Sequence, residues 1–142
     1  MSRSRRRRVY LDTSAYLSLL LDEPNAAQIG GETDGAVCLS SVLLILEARR
    51  NLVRFARQGA LDPAQYEACM ERVATDIGSF ELRDLTIDLC TSLAMPAVAT
   101  PRSLDLAHLQ TALWFHAQAP LDRFVTIDTA QAQSARELGL PI

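Results

Sequence analysis

Four carboxylates in this 142-residue chain sit inside apolar sequence. Asp12 closes Val9-Tyr10-Leu11-Asp12, and Glu47 follows Leu43-Leu44-Ile45-Leu46. Asp105 lies within Arg102-Ser103-Leu104-Asp105-Leu106-Ala107-His108, and Asp128 closes Phe124-Val125-Thr126-Ile127-Asp128. An acid is costly to bury unless it is paired, hydrogen-bonded or bound to a cation. Each of the four has an ordinary explanation taken singly. Asp12 and Asp128 are good N-caps for the helices that follow them. Asp105 falls in the first turn of a helix, where the macrodipole favours a negative charge. Glu47 has Arg50 and Asn51 three and four residues on, at the spacing of a helix-surface pair. Taken together the ordinary explanations account for less. Several carboxylates in one cleft repel one another and stay ionised together only beside a cation. A donor set made of oxygen alone points to Mg²⁺ or Mn²⁺ and away from zinc.

The elements that must gather these acids follow from pattern and punctuation. Val9–Leu11 is a short apolar strand, followed by a helix from Thr13 to Leu21 that Asp12 or Thr13 can cap. Asp22-Glu23-Pro24-Asn25 breaks it, and a short helical stretch runs to Ile29, with Gly30-Gly31 as its expected end. Ala36–Leu39 is a second strand. Ser40 or Ser41 then caps a long helix reaching Gln58, stopped by Gly59. Asp62-Pro63 opens a helix to Ile77. Phe80–Leu82 is a third strand, Thr86–Ala94 a helix ended by Met95-Pro96, and Leu104–Ala117 a longer helix. Arg123–Ile127 is a fourth strand. Thr129–Leu138 is the last helix, closed by Gly139, and Pro141-Ile142 suggests a short edge strand. Strands alternating with helices or helix pairs imply parallel crossovers, hence a three-layer α/β/α sandwich on a short parallel sheet. Ligands in such sheets bind beyond the carboxyl ends of the strands. Asp12 and Asp128 stand there by position, and the helices bearing Glu47 and Asp105 start on the same side.

Composition narrows the chemistry. All 14 basic residues are Arg. A P-loop needs its Lys and a Schiff-base enzyme its amine, so both classes fall away. Gly30, Gly31 and Gly35 lack the spacing of a dinucleotide fingerprint. Three scattered cysteines, Cys38, Cys69 and Cys90, make neither a zinc knuckle nor a disulfide framework and read as small apolar residues. No apolar run reaches the roughly 18 residues of a membrane span. The polar start of the chain does not read as a secretory signal, so a cytoplasmic protein is expected. Five Arg fall in the first eight residues, and the rest of the chain carries nine Arg against 17 acids. The chain divides accordingly into a basic arm over residues 1–8 and one domain over residues 9–142. An arm of this kind suits either nucleic-acid phosphate or plain solvation.

Several lesser candidates carry an ordinary reading beside a functional one. His108 and His116 lie eight apart on one helix, without the HExxH pattern, and read as core or helix-surface residues. Ser14 and Thr126 flank the acids as possible partners of a metal-bound water, or as capping and strand residues. Arg102 can meet a phosphate or pair with a nearby acid. Trp114 and Phe115 read as core or dimer contacts.

The four motifs, in this order and spacing, resemble the PIN-domain family and, within it, the VapC-type toxins of bacterial toxin–antitoxin pairs. The likeness rests on Val9-Tyr10-Leu11-Asp12-Thr13-Ser14-Ala15, on Ser40 to Arg49 around Glu47, on Arg102-Ser103-Leu104-Asp105-Leu106-Ala107-His108-Leu109, and on Val125-Thr126-Ile127-Asp128 followed by Ala135, Leu138, Gly139 and Leu140. It implies a Mg²⁺-dependent endoribonuclease with Asp12, Glu47, Asp105 and Asp128 as its acidic cluster, a homodimer, and a small VapB-like antitoxin. The expected reaction is hydrolysis of RNA (tRNA, rRNA or mRNA). Metal held by Asp12 and Asp105, with Glu47 and Asp128 directly or through water, activates a water for in-line attack on a phosphodiester. The alternative is a PIN-like module that binds RNA or protein without cleaving it. An intact set of four acids favours the nuclease.

Overall fold

The computed structural model describes residues 4–91, 96–100 and 102–142. Its sheet is built of four strands of three to five residues each. The strands are β1 (Arg8–Leu11), β2 (Val37–Ser41), β3 (Glu81–Arg83) and β4 (Arg123–Val125). They pair in parallel in the order β3-β2-β1-β4. Helices α1 (Thr13–Leu20) and α2 (Ala26–Thr33) link β1 to β2, and α3 (Leu43–Arg57) and α4 (Pro63–Ile77) link β2 to β3. Helices α5 (Ile87–Thr91) and α6 (Ser103–Gln118) lead from β3 across to β4 at the opposite edge, and α7 (Thr129–Glu137) follows β4.

Alternation along β1 makes the layers. Val9 and Leu11 pack with Ala15, Ile29 and Ala36 against α1 and α2. Tyr10 faces the other way, into a core with Leu109, Ala112, Phe115, Phe124 and Ala135 under α6 and α7. The Tyr10 ring lies flat on Phe124, with centroids 5.3 Å apart. Residues Leu44, Ala48 and Leu52, one face of α3 at a four-residue spacing, close a third core with Tyr16, Leu20 and Val73. This is the three-layer α/β/α sandwich of the PIN type. Among the described residues no helix is long and apolar enough to cross a membrane.

Local chemistry explains where expectation and structure part. Gly59 and Gly139 do end α3 and α7, each in the left-handed region at φ 74° and 78°. Gly30 and Gly31 do not end α2, which runs on to Thr33. A Cβ on Gly30 would make only ordinary contact with Leu19 Cδ2, at 4.0 Å, and neither glycine has a positive φ, so nothing in the backbone stops the helix there. The turn falls instead at Gly35, φ 67°. Strand β2 begins one residue later than expected and takes in both serines. The Ser40 hydroxyl donates to the Leu11 carbonyl, while the Ser41 hydroxyl accepts from the Leu43 amide at the start of α3. Strand β4 stops at Val125, leaving Thr126 and Ile127 to turn the chain toward α7. Pro141-Ile142 forms no strand, although the Pro141 carbonyl accepts from the Phe124 amide. The expected ends of the helix after Thr86, at Ala94 and Met95, lie outside the described residues.

The basic arm is tied down where it is described. Arg5 pairs with Asp122 at 2.9 Å and Arg7 with Glu32 at 3.0 Å. Arg6 donates to the carbonyls of Gly35 and Ala36, and the Arg8 guanidinium to those of Phe115 and Ala119. The Arg8 amide donates to Asp122 at 2.7 Å, a bond that holds the Asp122 carboxyl below its usual range. Gly35 and Asp122 precede β2 and β4, so these contacts lie at the amino end of the sheet, opposite Asp12. Arg5 to Arg8 thus brace the fold at the far end from the acids. They are not a free arm beside them.

Candidate active site

The order β3-β2-β1-β4 puts a topological switch between β1 and β4, since α1 leaves β1 onto one face of the sheet and α7 leaves β4 onto the other. Just beyond it opens a cleft of about 500 Å³. Asp12, Glu47, Asp105 and Asp128 all line it, together with Thr13, Ser14, Arg50, Arg102 and His108. Four acids separated by more than a hundred residues of chain are thereby brought to one place.

Asp12 leaves β1 as the N-cap of α1. Its Oδ1 accepts from the Ala15 amide at 3.1 Å and the Ser14 hydroxyl at 2.7 Å, and its Oδ2 from the Thr126 hydroxyl at 2.5 Å. The residue is 4% exposed. Burial pushes its carboxyl above the usual aspartate range, and the two hydroxyls only partly offset this. Ser14 and Thr126 therefore act on Asp12 itself. The capping explanation for Asp12 holds and accounts for one of its oxygens.

Asp128 caps α7 in the same manner, its Oδ1 accepting from the Gln131 amide at 3.0 Å. That bond, aided by Arg102, holds its carboxyl below the usual range. Asp105 stands in the first turn of α6. Its Oδ2 accepts from the Thr100 hydroxyl at 3.0 Å and from Arg102 Nε at 2.8 Å. Arg102 Nη2 donates to Asp128 Oδ2 at 2.6 Å, so a single guanidinium spans the two acids.

Glu47 has no ion pair with Arg50. It is half-buried, on the flank of α3 that turns toward α6. Its Oε1 accepts from the Thr13 hydroxyl at 2.9 Å and from His108 Nε2 at 2.8 Å. A carboxylate only accepts, which places a proton on His108 Nε2. The Tyr10 hydroxyl is hydrogen-bonded to Nδ1, 2.7 Å away. Burial raises the Tyr10 hydroxyl well above its ordinary pKa, so it stays protonated. A buried chain Tyr10–His108–Glu47 thus runs from β1 through α6 to α3. The core reading of His108 holds, since the ring is 1% exposed. What sequence reasoning missed is the grip on Glu47 by His108 and Thr13, and on Asp105 by Thr100. A hydroxyl next to Asp12 and an imidazole one helical turn after Asp105 were the available signals. His116 serves elsewhere, its Nδ1 accepting from the Leu121 amide at 3.0 Å.

The donor types suit a hard divalent cation: carboxylate oxygens, with one buried carboxylate that no Arg among the described residues pairs with and two others already drawn to a cationic side chain. In this arrangement no three His, Cys, Asp or Glu side chains among the described residues stand close enough to share one ion. The acids divide into two sets. Asp12 and Glu47 are held by hydroxyls, a backbone amide and an imidazole, whereas Asp105 and Asp128 are held by Arg102.

A short parallel sheet in a three-layer sandwich, with four acids at its switch point, defines the class of PIN-like domains. No family model matches the sequence. The chain is 30% identical over 139 residues to Ribonuclease VapC47 of Mycobacterium tuberculosis (strain CDC 1551 / Oshkosh), covering 92% of each protein. On that likeness and this fold, the chain belongs to the VapC family of PIN-domain proteins.

Proposed function

We propose that this protein is a metal-dependent endoribonuclease and the toxin of a toxin–antitoxin pair, with RNA cut in the cleft between β1 and β4. The observation that carries the reading is the lining of that one cleft by Asp12, Glu47, Asp105 and Asp128. The similarity to a protein named a ribonuclease supports the same activity. Bound among these oxygens, Mg²⁺ or Mn²⁺ would acidify a water and neutralise charge on the phosphate under attack. The chain's own residues do the rest. Ser14, Thr126 and the Ala15 amide fix the Asp12 carboxylate, and Thr13 and His108 fix Glu47, so neither acid has to be ordered at the moment of reaction. Arg50, one turn along α3 from Glu47, is exposed on the wall of the cleft and supplies positive charge for RNA phosphate. The body of the protein is acidic, so Arg at the rim must provide that attraction. RNA is single-stranded or looped at the cut.

A cognate VapB-like antitoxin would silence such a site with a flexible tail that sets a basic side chain beside Asp12 and Asp105, since guanidinium pairs with carboxylate in two-pronged fashion. Expressed alone in a bacterial host, the wild-type chain should arrest growth. The Asp105→Asn variant should not, and co-expression of the antitoxin should restore growth to the wild type. Arrest by the variant equal to that by the wild type would remove the cleft from the account.

The reading includes a homodimer. Leu46 is 69% and Val53 46% exposed, and they are seven residues apart on one side of α3. Of the other apolar candidates for such a contact, Phe115 is buried in the core under α6, Trp114 packs against that core, and Leu43 is half-buried. Light scattering at tens of micromolar should give twice the 15.6 kDa chain mass. Leu46→Glu should shift the population toward monomer, and monomer alone for the wild type would reject the dimer.

A further inference from the structure

Arg102 is placed unlike the other Arg near the cleft. It stands at the N-cap of α6 with extended backbone, φ −77° and ψ 133°, and its side chain makes no cap bond there. Instead the guanidinium reaches over the cleft, 2.8 Å from Asp105 Oδ2 and 2.6 Å from Asp128 Oδ2. The two acids come from different elements, α6 and the start of α7, so the contact crosses the site. Arg102 is 65% exposed, whereas the carboxyls it spans are 20% and 28% exposed. It therefore lies over these acids from the solvent side and can withdraw without disturbing the core. Exposed ion pairs are weak, so a divalent cation can displace this one.

Arg102 occupies an oxygen on each of two acids that a cation at this site would draw on. Asp128 Oδ1 is committed to capping α7, which leaves Oδ2 as its outward donor, and that atom is the one on Arg102. On Asp105, Arg102 shares Oδ2 with Thr100 and leaves Oδ1 to a cation. Among the described residues no guanidinium pairs with Asp12 or Glu47.

We propose that Arg102 is the site's own counter-ion: it holds Asp105 and Asp128 in the metal-free protein, yields to the divalent cation, and is then released to bind the RNA phosphate. The inference rests on the metal-dependent reading above and adds a residue and an order of events to it. The same side chain then serves twice. It cancels repulsion between two acids before the cation arrives, and it becomes a free cation at the rim when substrate is to be bound.

The test is Mn²⁺ binding to the full-length protein, read as free Mn²⁺ by electron paramagnetic resonance, for wild type, Arg102→Gln and Arg102→Lys. Arg102→Gln should bind Mn²⁺ a few-fold to about tenfold more tightly than wild type, the scale of two exposed ion pairs that need not be broken. Without metal it should melt below wild type, and Mn²⁺ should close that gap. Arg102→Lys, which keeps the charge but lacks the fork, should fall between the two. Binding of single-stranded RNA, read in Ca²⁺, should weaken in Arg102→Gln, with a salt dependence shallower by about one phosphate contact. Mn²⁺ affinity in Arg102→Gln equal to or weaker than wild type overturns the counter-ion role. Tighter Mn²⁺ with unchanged RNA affinity and salt slope overturns the phosphate role. A wild type that takes up no Mn²⁺ at millimolar concentration overturns instead the metal reading on which the inference rests.

Discussion

Replacing Asp12 by Asn should lower RNA cleavage by about a hundredfold or more, since changes to residues that merely support a metal ligand already cost about 10–100-fold. The same variant should be more stable than wild type when no metal is present. Burial raises the Asp12 carboxyl above its usual range, so ionising it works against the folded state. The stability this group contributes is complete at pH below the usual aspartate value of 3.8 and is lost as pH rises through the raised value. Asn carries no charge to lose. The excess stability of the variant should therefore be largest at neutral pH and should vanish toward pH 3, as followed by thermal melts across that range. Asn also fits the existing bonds. Its oxygen accepts from Ser14 and the Ala15 amide, and its amide donates to Thr126 Oγ1, whose proton turns to Ser14 Oγ at 3.2 Å. Mg²⁺ or Mn²⁺ should reverse the ranking by raising the melting temperature of wild type and leaving the variant nearly unmoved. An Asp12→Asn protein that cleaves like wild type, or one destabilised at every pH, would contradict this role.

Glu47 gives the second large effect. Glu47→Gln keeps an acceptor for the Thr13 hydroxyl and for His108 Nε2, so it should fold and melt close to wild type. Cleavage should nevertheless fall by about 10–100-fold or more, because the charge is gone. Glu47→Ala removes the acceptor as well. His108 Nε2 can then turn to Thr13 Oγ1, 3.1 Å away, which limits the loss of stability to about 1–3 kcal/mol, the range for one compromised buried hydrogen-bonding group. Melting curves beside cleavage rates separate the two roles. Full activity in Glu47→Gln with loss only in Glu47→Ala would reduce Glu47 to a buttress for α3 and α6.

The parts of this molecule that were legible in its sequence are those written locally. Apolar runs of three to five residues gave the strands, and Asp62-Pro63 gave the start of α4, where the full capping box is present. Gly59 and Gly139 marked helix ends because nothing packs where their side chains would be and the chain turns left-handed there. Gly30-Gly31 misled because neither takes up the left-handed backbone that ends a helix; the chain turns instead at Gly35. The same division runs through the site. Asp12 and Asp128 stand at strand-to-helix turns, which sequence can show. The Arg102 bridge to Asp128 joins residues 26 apart, and the His108 bond to Glu47 joins residues 61 apart. No local pattern encodes either. The contacts of the basic arm are nonlocal in the same way, since the carbonyls and acids that engage Arg5 to Arg8 belong to residues 25 to 117 positions away.

The deciding measurement is cleavage of a panel of tRNA and rRNA by the purified protein, with Mg²⁺ or Mn²⁺ and with EDTA. The prediction is discrete cleavage products with either metal, none in EDTA, and recovery when Mn²⁺ is returned in excess of the chelator. Cleavage that proceeds equally well in EDTA, or no cleavage of any RNA with metal present, would contradict it.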